Sequence, residues 1–255
     1  MAYFPFFVEM NGQRGLVAGG GTVALRKVEK LLPYGAQLTI AAPEISPALQ
    51  ALAAENSLPV WQKKAAPEMV DGFDFVIAAT DDPETNHALA ARCRGQKIPV
   101  NVVDDKDYCS FLFPSLVQSG PLSVGISTGG ASPTAAVWLR KQIEVLLPDA
   151  LPEILTAAGI ARRFDAEAVT VSREGCGLTL AALSQGQTAG GTGLPVGGKM
   201  MVFCGLEREL DDLLAALHGA GIVCLKAVLT PSNRNWTPGR LYQELERERR
   251  AMGGR

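Results

Sequence analysis

Near its start the chain reads Leu16-Val17-Ala18-Gly19-Gly20-Gly21-Thr22-Val23-Ala24, an apolar run that passes through three glycines into small, uncharged residues. Gly19, Gly21 and Ala24 fit the spacing G-x-G-x-x-A, which is typical of a strand that turns tightly into a helix beneath a dinucleotide pyrophosphate. The first glycine allows the turn, the second lets the phosphates approach the backbone, and the small third residue lets helix and strand pack closely. The N–H groups at the helix start then face the phosphates. The run therefore predicts a dinucleotide site; the alternative is an ordinary tight strand-to-helix turn.

The overall composition favours a globular protein that handles a small molecule. The chain has 255 residues, 47% of them hydrophobic, which is enough for one domain of ordinary size and a smaller one. A formal net charge of −2 argues against a nucleic-acid-binding protein, for which a basic stripe is expected. The five cysteines are scattered and contain no C-x-x-C pair, so we expect neither a zinc site nor disulfides, and we expect a cytoplasmic protein.

The apolar residues 1–8 raise the question of a membrane or targeting segment. No run in the chain approaches the roughly 18 apolar residues that a membrane span needs, so we expect no contact with a membrane. Residues 1–8 are few, lack a basic flank and meet Glu9 directly, which argues against a targeting signal. We expect them to form a first strand of the sheet.

Apolar runs alternate with helical patterns through about the first hundred residues, which is typical of a parallel sheet with helical crossovers. Further strands are expected at residues 38–42, 59–62, 73–79 and 99–103. The fold class expected is therefore α/β, with a Rossmann-like parallel sheet. Because the carboxyl ends of such strands line the ligand crevice, we expect Thr80, Asp81 and Asp104 at the site.

The strand after the glycine-rich turn and its helix usually ends in a carboxylate that binds the ribose hydroxyls of NAD. Strand 38–42 ends in alanine, and the first carboxylate after it is Glu44, near the expected spacing of about 20 residues. No arginine stands there to bind the 2′-phosphate of NADP. The sequence thus favours NAD, with Glu44 as the ribose contact; otherwise Glu44 is a solvated loop residue.

Several further motifs follow in a fixed order. After G-G-G-T-V-A-x-R-K come A-A-T-D-D-P-x-x-N, N-V-V-D-D, S-F-x-x-P-S and S-T-G-G-A-S-P. In this order and spacing they resemble the precorrin-2 dehydrogenase family, the dehydrogenase and chelatase part of siroheme synthase, over roughly residues 1–160. The resemblance implies a homodimer that oxidises precorrin-2 to sirohydrochlorin with NAD as hydride acceptor. Some members also insert ferrous iron to give siroheme.

The resemblance also assigns roles to particular residues. It implies that the key carboxylate is Asp104. The cofactor contacts that it implies are Gly19, Gly20, Gly21, Thr22, Val23, Pro43, Glu44, Thr80 and Asp81.

A carboxylate in the crevice suits this reaction on chemical grounds. Removing a hydride from a reduced tetrapyrrole is assisted if a base beside the cofactor and macrocycle accepts the accompanying proton. We expect Asp104 in this role; the alternative is an aspartate that turns the chain after a buried strand, as Asp105 and Asp107 can equally do. His87, at a predicted helix start, is expected to be a surface or capping histidine rather than an iron ligand.

A second site is expected where strand 122–126 runs into the motif S-T-G-G-A-S-P. Ser132 is placed to cap the next helix and Pro133 fits its first position. N–H groups and hydroxyls at a helix start bind anions, and precorrin-2 carries many carboxylates. The residues assigned to the substrate are Asn101, Ser127, Thr128, Gly129, Gly130 and Ser132. The alternative is an ordinary capped helix, and in the family this region also builds the dimer.

Beyond about residue 164 the resemblance weakens. We expect an NAD-binding domain over 1–113, a dimerisation and helical segment over 114–165, a flexible linker over 166–199 and a small module over 200–255. The module reads strand, helix, strand, helix (βαβα), with the first helix expected over 207–218.

One stretch of the module, Thr230-Pro231-Ser232-Asn233-Arg234-Asn235-Trp236, resembles a small bacterial domain of unknown function. Either Trp236 and Asn233 form a recognition loop, or Trp236 pins the turn onto a small core.

Three functions from different classes remain open from the sequence. The first is NAD-dependent dehydrogenation of precorrin-2. The second is a tetrapyrrole metal chelatase in which dehydrogenation is incidental. The third is a non-catalytic NAD-sensing or scaffold protein that uses the C-terminal module for contacts.

Overall fold

The structure is a computed structural model that describes residues 4–188, 190, 193–194, 196–206 and 208–253. The chain divides into two compact units, each described here by itself. The first holds the residues up to Ser115 together with Gly125–Arg140, and the second holds Leu116–Val124 and the chain from Lys141 onward. The four-part division that the sequence suggests stays a prediction.

A five-stranded parallel sheet forms the centre of the first unit. Its strands are β1 (Arg14–Ala18), β2 (Gln37–Ala41), β3 (Val60–Trp61), β4 (Phe75–Ala78) and β5 (Val100–Val102). They lie in the order β3-β2-β1-β4-β5, and every pair is parallel. The crossover connections and this order are those of a Rossmann-like sheet, so the predicted α/β fold class is confirmed.

Three helices connect the strands: α1 (Thr22–Leu31), α2 (Pro47–Glu55) and α3 (Pro83–Gln96). The Ser46 hydroxyl caps α2 by accepting the N–H of Leu49, and the Asp82 carboxylate caps α3 by accepting the N–H of Glu84. Both caps stand directly before a proline, which fits the first helical position because its missing N–H has no intrahelical partner there.

The sheet is buried on both of its faces. One face carries a core that includes Leu16, Val76 and Leu89, and the other carries a core that includes Val17, Val28 and Ile40. A parallel sheet covered by helices on both sides needs near-continuous apolar strands, which explains the runs in the sequence.

The predicted strand at the N-terminus is wrong. Residues 4–10 have no regular structure, and the side chains of Phe4, Phe6 and Phe7 are 76–80% exposed. Pro5 lacks the N–H that a ladder needs, so apolarity alone did not make this run a strand. Residues 1–3 of the expected strand lie outside the described residues.

Beyond the sheet the chain forms β6 (Ser115–Ser119) and β7 (Leu122–Ile126), which pair as a separate two-stranded sheet. They are followed by α4 (Pro133–Leu146), a helix whose start the Ser132 hydroxyl caps by accepting the N–H of Ala135 at 3.2 Å. The predicted strand and cap at this position are confirmed.

The second unit contains the predicted βαβα module. After α5 (Leu151–Arg162) and α6 (Leu180–Ser184) come β8 (Met200–Phe203), α7 (Leu210–Gly219), β9 (Leu225–Val228) and α8 (Pro238–Ala251). Strands β8 and β9 pair in parallel, and Phe203, Leu213 and Leu217 are buried together with Ile160 of α5. The order of elements predicted for the module is confirmed, although α7 begins at Leu210 and the expected start, Glu207, lies outside the described residues.

Within the predicted linker (residues 166–199) the structure contains folded elements, while the linker as a domain boundary stays a prediction. A 3₁₀ turn (Glu174–Gly177) and α6 lie within it, with Cys176 and Leu180 buried. The N–H of Leu180 donates to the Trp236 carbonyl at 2.8 Å, and the N–H of Ala181 donates to the Arg234 carbonyl at 2.9 Å. A small number of apolar residues therefore anchors a stretch that composition alone described as a linker.

In the described part of the chain, no helix combines the length and the apolar character that a bilayer crossing requires.

Candidate functional site

Four strands of the central sheet end at one edge, here called the carboxyl edge. In the register of the sheet, Ala18 stands beside Ala41 and Ala78, and Ala78 stands beside Val102. The residues that follow these strand ends include Gly19 after β1, Pro43 and Glu44 after β2, Thr80 and Asp81 after β4, and Asp104 after β5. The structure therefore brings the predicted cofactor contacts and the predicted base to the same edge.

The glycine turn (residues 19–21) begins with a backbone conformation that favours glycine. Gly19 has φ +136°, and its N–H donates to the Ala41 carbonyl at 2.9 Å. A Cβ atom on Gly19 would stand 2.2 Å from the carbonyl oxygen of Ala79. The role predicted for the first glycine of the motif, a tight turn, is confirmed.

Gly20 serves the packing of the site. Its carbonyl accepts the N–H of Ser46 at 2.8 Å, and a Cβ atom on it would stand 1.9 Å from the carbonyl oxygen of Glu44. The turn after β1 thus lies directly against the loop after β2. This contact ties the Glu44 backbone to the glycine turn, and nothing in the spacing of the motif predicted it.

Gly21 leaves the start of α1 open. Beyond its chain neighbours and the backbone of α1, no atom of the described residues lies within 4 Å of the position that a Cβ on Gly21 would take, and none of their side chains caps the helix. The first turn of α1 carries no acidic residue, and Thr22 and Val23 are exposed. Its unpaired N–H groups and the positive end of the helix dipole are thus available to a phosphate.

Thr80 is held by a buried asparagine, Asn86 of α3. The Thr80 hydroxyl donates to Asn86 Oδ1 at 2.7 Å, and the Thr80 N–H donates to the same oxygen at 3.2 Å. In return, Asn86 Nδ2 donates to the Thr80 carbonyl at 3.0 Å. Asn86 therefore fixes the loop after β4, while the neighbouring Asp81 is exposed.

Asp82 stabilises the same loop from its outer side. Its carboxylate accepts the Thr85 hydroxyl at 2.6 Å and the Lys64 ammonium at 3.0 Å. These two hydrogen bonds hold the pKa of Asp82 well below its usual range, Thr85 contributing most. Asp82 is therefore a capping residue of α3.

Asp104 is exposed and lies in a turn with φ +60°, an uncommon conformation for a residue with a side chain. The next residue, Asp105, contacts His87 across 2.8 Å between Oδ2 and Nε2, and the His87 ring stacks on Tyr108 at 3.8 Å between ring centroids. His87 thus holds the turn that follows Asp104, a role beyond the surface or capping role expected. Among the described residues, no group of three His, Cys, Asp or Glu side chains is arranged to hold a metal ion.

Asn101 is buried in the structure, and its assignment to the substrate stays a prediction. It is only 5% exposed, and its amide Nδ2 donates to the Phe111 carbonyl at 3.0 Å. Asn101 lies on β5, a strand covered on both faces, so its side chain points into the packed layer between β5 and residues 109–111. Its Oδ1 atom is buried and has no hydrogen-bond partner among the described residues.

The hydroxyl loop (residues 127–132) is organised by its own side chains. The Ser127 hydroxyl accepts the N–H of Gly129 at 3.2 Å, and the Thr128 hydroxyl accepts the N–H of Ser132 at 3.0 Å. Gly129 and Gly130 both have positive φ, +61° and +85°. Because each hydroxyl oxygen acts as an acceptor, its own proton remains to be donated to an anion.

The hydroxyl loop lies next to the turn that follows Asp104. The position of a Cβ on Gly130 is 3.5 Å from Cδ and 3.9 Å from Nζ of Lys106. Lys106 comes two residues after Asp104. The predicted substrate loop therefore contacts Lys106, which lies in the segment that follows the predicted base.

Comparison with known proteins agrees with this arrangement. Residues 6–115 match the family model described as putative NAD(P)-binding, and residues 119–146 match the model described as sirohaem biosynthesis protein central. The siroheme synthase of Photorhabdus laumondii is 41% identical over 174 residues, which are 68% of this chain and 37% of that protein. The siroheme synthase of Pseudomonas entomophila is 42% identical over 164 residues, 64% of this chain and 35% of that protein.

The N-terminal region is similar to the corresponding region of siroheme synthases. The resemblance inferred from the motifs is thereby confirmed. A solved structure described as SirC, precorrin-2 dehydrogenase, shares the fold, with a TM-score of 0.55 and 24% identity over 67% of this chain and 84% of that chain.

The chain spans little more than a third of the length of these siroheme synthases. Outside the siroheme synthase region, residues 199–252 match the model described as domain of unknown function (DUF3783). The resemblance of the C-terminal module to such a domain is thus confirmed too. Within the module, Asn233 holds its turn by accepting the Thr230 N–H at 2.8 Å and donating to the Val228 carbonyl at 2.9 Å.

Two further residues of the siroheme synthase region contribute to the site and received no role from the sequence. Asn86 closes the motif A-A-T-D-D-P-x-x-N, so its position was visible while its hydrogen bonds were not. Lys27, the last residue of G-G-G-T-V-A-x-R-K, places its Nζ 3.7 Å from the centroid of the Phe113 ring. In both cases the feature of the sequence that could have pointed to the residue is a polar side chain at a fixed position inside a motif.

Proposed function

We propose that the chain is an NAD-dependent precorrin-2 dehydrogenase, which oxidises precorrin-2 to sirohydrochlorin in siroheme biosynthesis. The observation that carries the proposal is the meeting of two features at the carboxyl edge. One is the uncapped start of α1 after the glycine turn, and the other is the exposed carboxylate of Asp104. The relationship to siroheme synthases and the match to an NAD(P)-binding model support it.

The cofactor is held by the ends of the strands. The N–H groups of Thr22 and Val23 bind the pyrophosphate, and the backbone at Gly19, Gly20 and Gly21 lets it approach. The loops at Pro43 and Glu44 and at Thr80 and Asp81 flank it. Glu44, exposed after β2, accepts from the ribose hydroxyls and repels a 2′-phosphate, which favours NAD over NADP.

Asp104 acts on the substrate. When bound, NAD accepts the hydride, that is, one hydrogen with the electron pair of a broken C–H bond of precorrin-2. The substrate must also lose a proton to become sirohydrochlorin, and the Asp104 carboxylate accepts it before passing it to water. Its exposure at the edge of the crevice is what this role requires.

The substrate carboxylates bind at the hydroxyl loop. Ser127, Thr128 and Ser132 donate their hydroxyl protons, and the positive φ of Gly129 and Gly130 keeps the loop free of side chains. The neighbouring ammonium of Lys106 adds a positive charge at the same place. The site thereby matches a macrocycle with many carboxylates.

The protein works as a homodimer that meets through α4. One face of this helix exposes Trp138 and Leu139 and, two turns later, Val145 and Leu146; Trp138 is 58% and Val145 is 84% exposed. Such an apolar stripe on a helix is stabilised when a second copy covers it across a two-fold axis. The use of NAD and the five cysteines, none of which forms a disulfide in the described structure, favour the cytoplasm as location.

The deciding experiment incubates the purified protein with precorrin-2 and NAD and follows the absorbance of reduced cofactor. Asp104→Asn is expected to lower kcat about 100-fold or more while NAD still binds, because it removes only the base. Asp107→Asn, an exposed aspartate of the same turn, is the matched control and should keep its activity.

If the wild type binds NAD but never reduces it with precorrin-2, the protein is not this dehydrogenase. Ferrous iron added to the product in a second stage tests for insertion, which would show as the spectrum of siroheme.

A further inference from the structure

Asn86 is a buried polar side chain on a helix that otherwise buries apolar residues. It is the fourth residue of α3 and is only 5% exposed, and Leu89 and Ala90 are the next buried residues along the helix. Asparagine is a weak helix former, and a buried amide is stable only where its donors and acceptors have partners. The place of Asn86 in the core therefore depends on the group that it binds.

That group is Thr80, the first residue beyond the ladder between β4 and β1. The last N–H of this ladder is that of Ala79, which donates to the Ala18 carbonyl at 2.7 Å. Beyond this point β1 turns away at Gly19, and Thr80 pairs with Asn86 instead of with a strand. Asn86 Oδ1 accepts both the N–H of Thr80, at 3.2 Å, and its hydroxyl, at 2.7 Å, while Asn86 Nδ2 donates to the Thr80 carbonyl at 3.0 Å.

These three hydrogen bonds engage every polar group of Thr80. Asp82 adds a further one by donating its N–H to the Thr80 hydroxyl at 3.3 Å. Thr80 therefore has neither its N–H nor its hydroxyl proton left for a ligand. What Thr80 contributes to a site is the shape of the loop that it begins.

This loop lies where the sheet changes direction. In the order β3-β2-β1-β4-β5, the chain leaves β1 towards β2 on one side and returns to β4 on the other. In open parallel sheets, the ligand crevice lies outside the carboxyl ends of the two strands at this switch point. The two loops meet there, because a Cβ atom on Gly19 would stand 2.2 Å from the Ala79 carbonyl oxygen and 3.3 Å from the Thr80 nitrogen.

We propose that Asn86 is a positioning residue for the dinucleotide. By binding all three polar groups of Thr80, it holds the loop after β4 against the glycine turn, in the shape that leaves the crevice open for the phosphates. The inference rests on the proposed function, because it takes the glycine turn as the site of NAD. Asn86 itself touches neither cofactor nor substrate.

The first experiment compares the Kd for NAD, from calorimetric titration, in the wild type, Asn86→Ala and the control Val70→Ala. Val70 is fully buried in the same core as α3 but precedes β4, at the opposite end of that strand from Thr80. Both substitutions lower the free energy of unfolding. Only Asn86→Ala is expected to raise the Kd for NAD, by about tenfold or more, because only it releases the loop at the crevice.

The titrations are made at a temperature at which circular dichroism shows each variant to be folded. A Kd for Asn86→Ala equal to that of the wild type overturns the inference. Equal weakening in Asn86→Ala and Val70→Ala also overturns it, because the effect then follows from stability alone.

The second experiment tests whether Asn86 acts through Thr80. Thr80→Val removes the hydroxyl that donates to Asn86 and keeps the size of the side chain. In the Thr80→Val background, Asn86→Ala is expected to raise the Kd by less than about half the factor seen in the wild-type background, since residues in one network are not additive. Equal factors in the two backgrounds overturn the inference.

Asn86→Asp decides the matter if Asn86→Ala does not fold. It keeps an oxygen that accepts from Thr80 and loses the amide that donates to the Thr80 carbonyl. The loss of this hydrogen bond is expected to raise the Kd for NAD about threefold or more, and an unchanged Kd overturns the inference.

The proposed function fails separately. A wild type that binds NAD but does not oxidise precorrin-2 overturns the dehydrogenase, while the Kd values still decide the role of Asn86. A wild type that binds no NAD overturns both.

Discussion

The carbonyl oxygen of Glu44 lies so close to Gly20 that a Cβ atom there would stand 1.9 Å from it. At the neighbouring Gly21, no described atom other than those of its chain neighbours and of the α1 backbone lies within 4 Å of the corresponding Cβ position. Two adjacent glycines of one motif therefore have different surroundings: Gly20 packs against the loop after β2, whereas Gly21 leaves open space beside the start of α1.

This difference predicts opposite outcomes for two alanine variants. Gly20→Ala should lower the free energy of unfolding by about 1–3 kcal/mol, because the loop after β2 must shift to make room. Gly21→Ala should change it by less than about 0.5 kcal/mol, because its φ of −86° suits alanine. Urea denaturation measures both free energies of unfolding.

In calorimetric titration, Gly21→Ala should weaken NAD binding tenfold or more, which corresponds to about 1.4 kcal/mol. Equal NAD affinity in Gly21→Ala and the wild type would contradict the open phosphate site.

Asn86→Ala should destabilise the first unit by about 1–3 kcal/mol. The substitution removes three hydrogen bonds to Thr80 and leaves a partly buried N–H and carbonyl without partners. Chemical denaturation measures the loss. The matched control is Asn56→Ala, whose exposed side chain donates a single bond to the Leu52 carbonyl and should cost less than about 0.5 kcal/mol. Equal losses in both variants would argue that the hydrogen bonds between Asn86 and Thr80 do not stabilise the loop after β4.

Asp82 should make stability depend on pH in the acid range. Its pKa is lowered in the folded state by Thr85 and Lys64, so its contribution is full above the unfolded value of 3.8 and disappears as the pH falls through the lower folded value. The difference in melting temperature between the wild type and Asp82→Asn should therefore shrink below about pH 4. Asp107→Asn should show no such trend, and a difference that is constant from about pH 7 to about pH 2 would refute the expectation.

Trp138→Glu should convert the proposed dimer to a monomer. A carboxylate within the exposed apolar stripe on α4 would be buried without a partner when two copies meet. Light scattering after size exclusion measures the mass. Val223→Glu, which alters an exposed apolar residue elsewhere, should leave the mass unchanged. Should the wild type itself elute as a monomer, α4 is not a dimer surface.

Much of the central sheet could be predicted because its signals are local. The glycine turn, the prolines after Ser46 and Asp82, and the alternation of apolar runs each fix a boundary within a few residues. The predicted strand at residues 1–8 failed because apolarity shows that a run is poorly solvated and does not show whether it has a partner strand.

The candidate site could be predicted only where the backbone dictates it. The tight turn at Gly19 could be predicted from the glycine motif alone. The contact between Gly20 and Glu44 could not, because it depends on two loops that meet in space. The burial of Asn101 follows from residues 109–111, which pack on β5, and no spacing in the sequence encodes that contact. The partial burial of Lys27 could not be predicted either, because a lysine at this position fits an ordinary helical pattern.

The two hydrogen bonds from Leu180 and Ala181 to the backbone of Trp236 and Arg234 have a practical consequence for anyone who excises the tail. A fragment that starts at residue 199, where the match to the domain of unknown function begins, leaves those two carbonyls bare and discards Cys176 and Leu180, which are buried in the intact chain. The natural place to cut lies upstream of the 3₁₀ turn at Glu174–Gly177, and recombinant pieces designed from homology limits alone would lose part of their own scaffold.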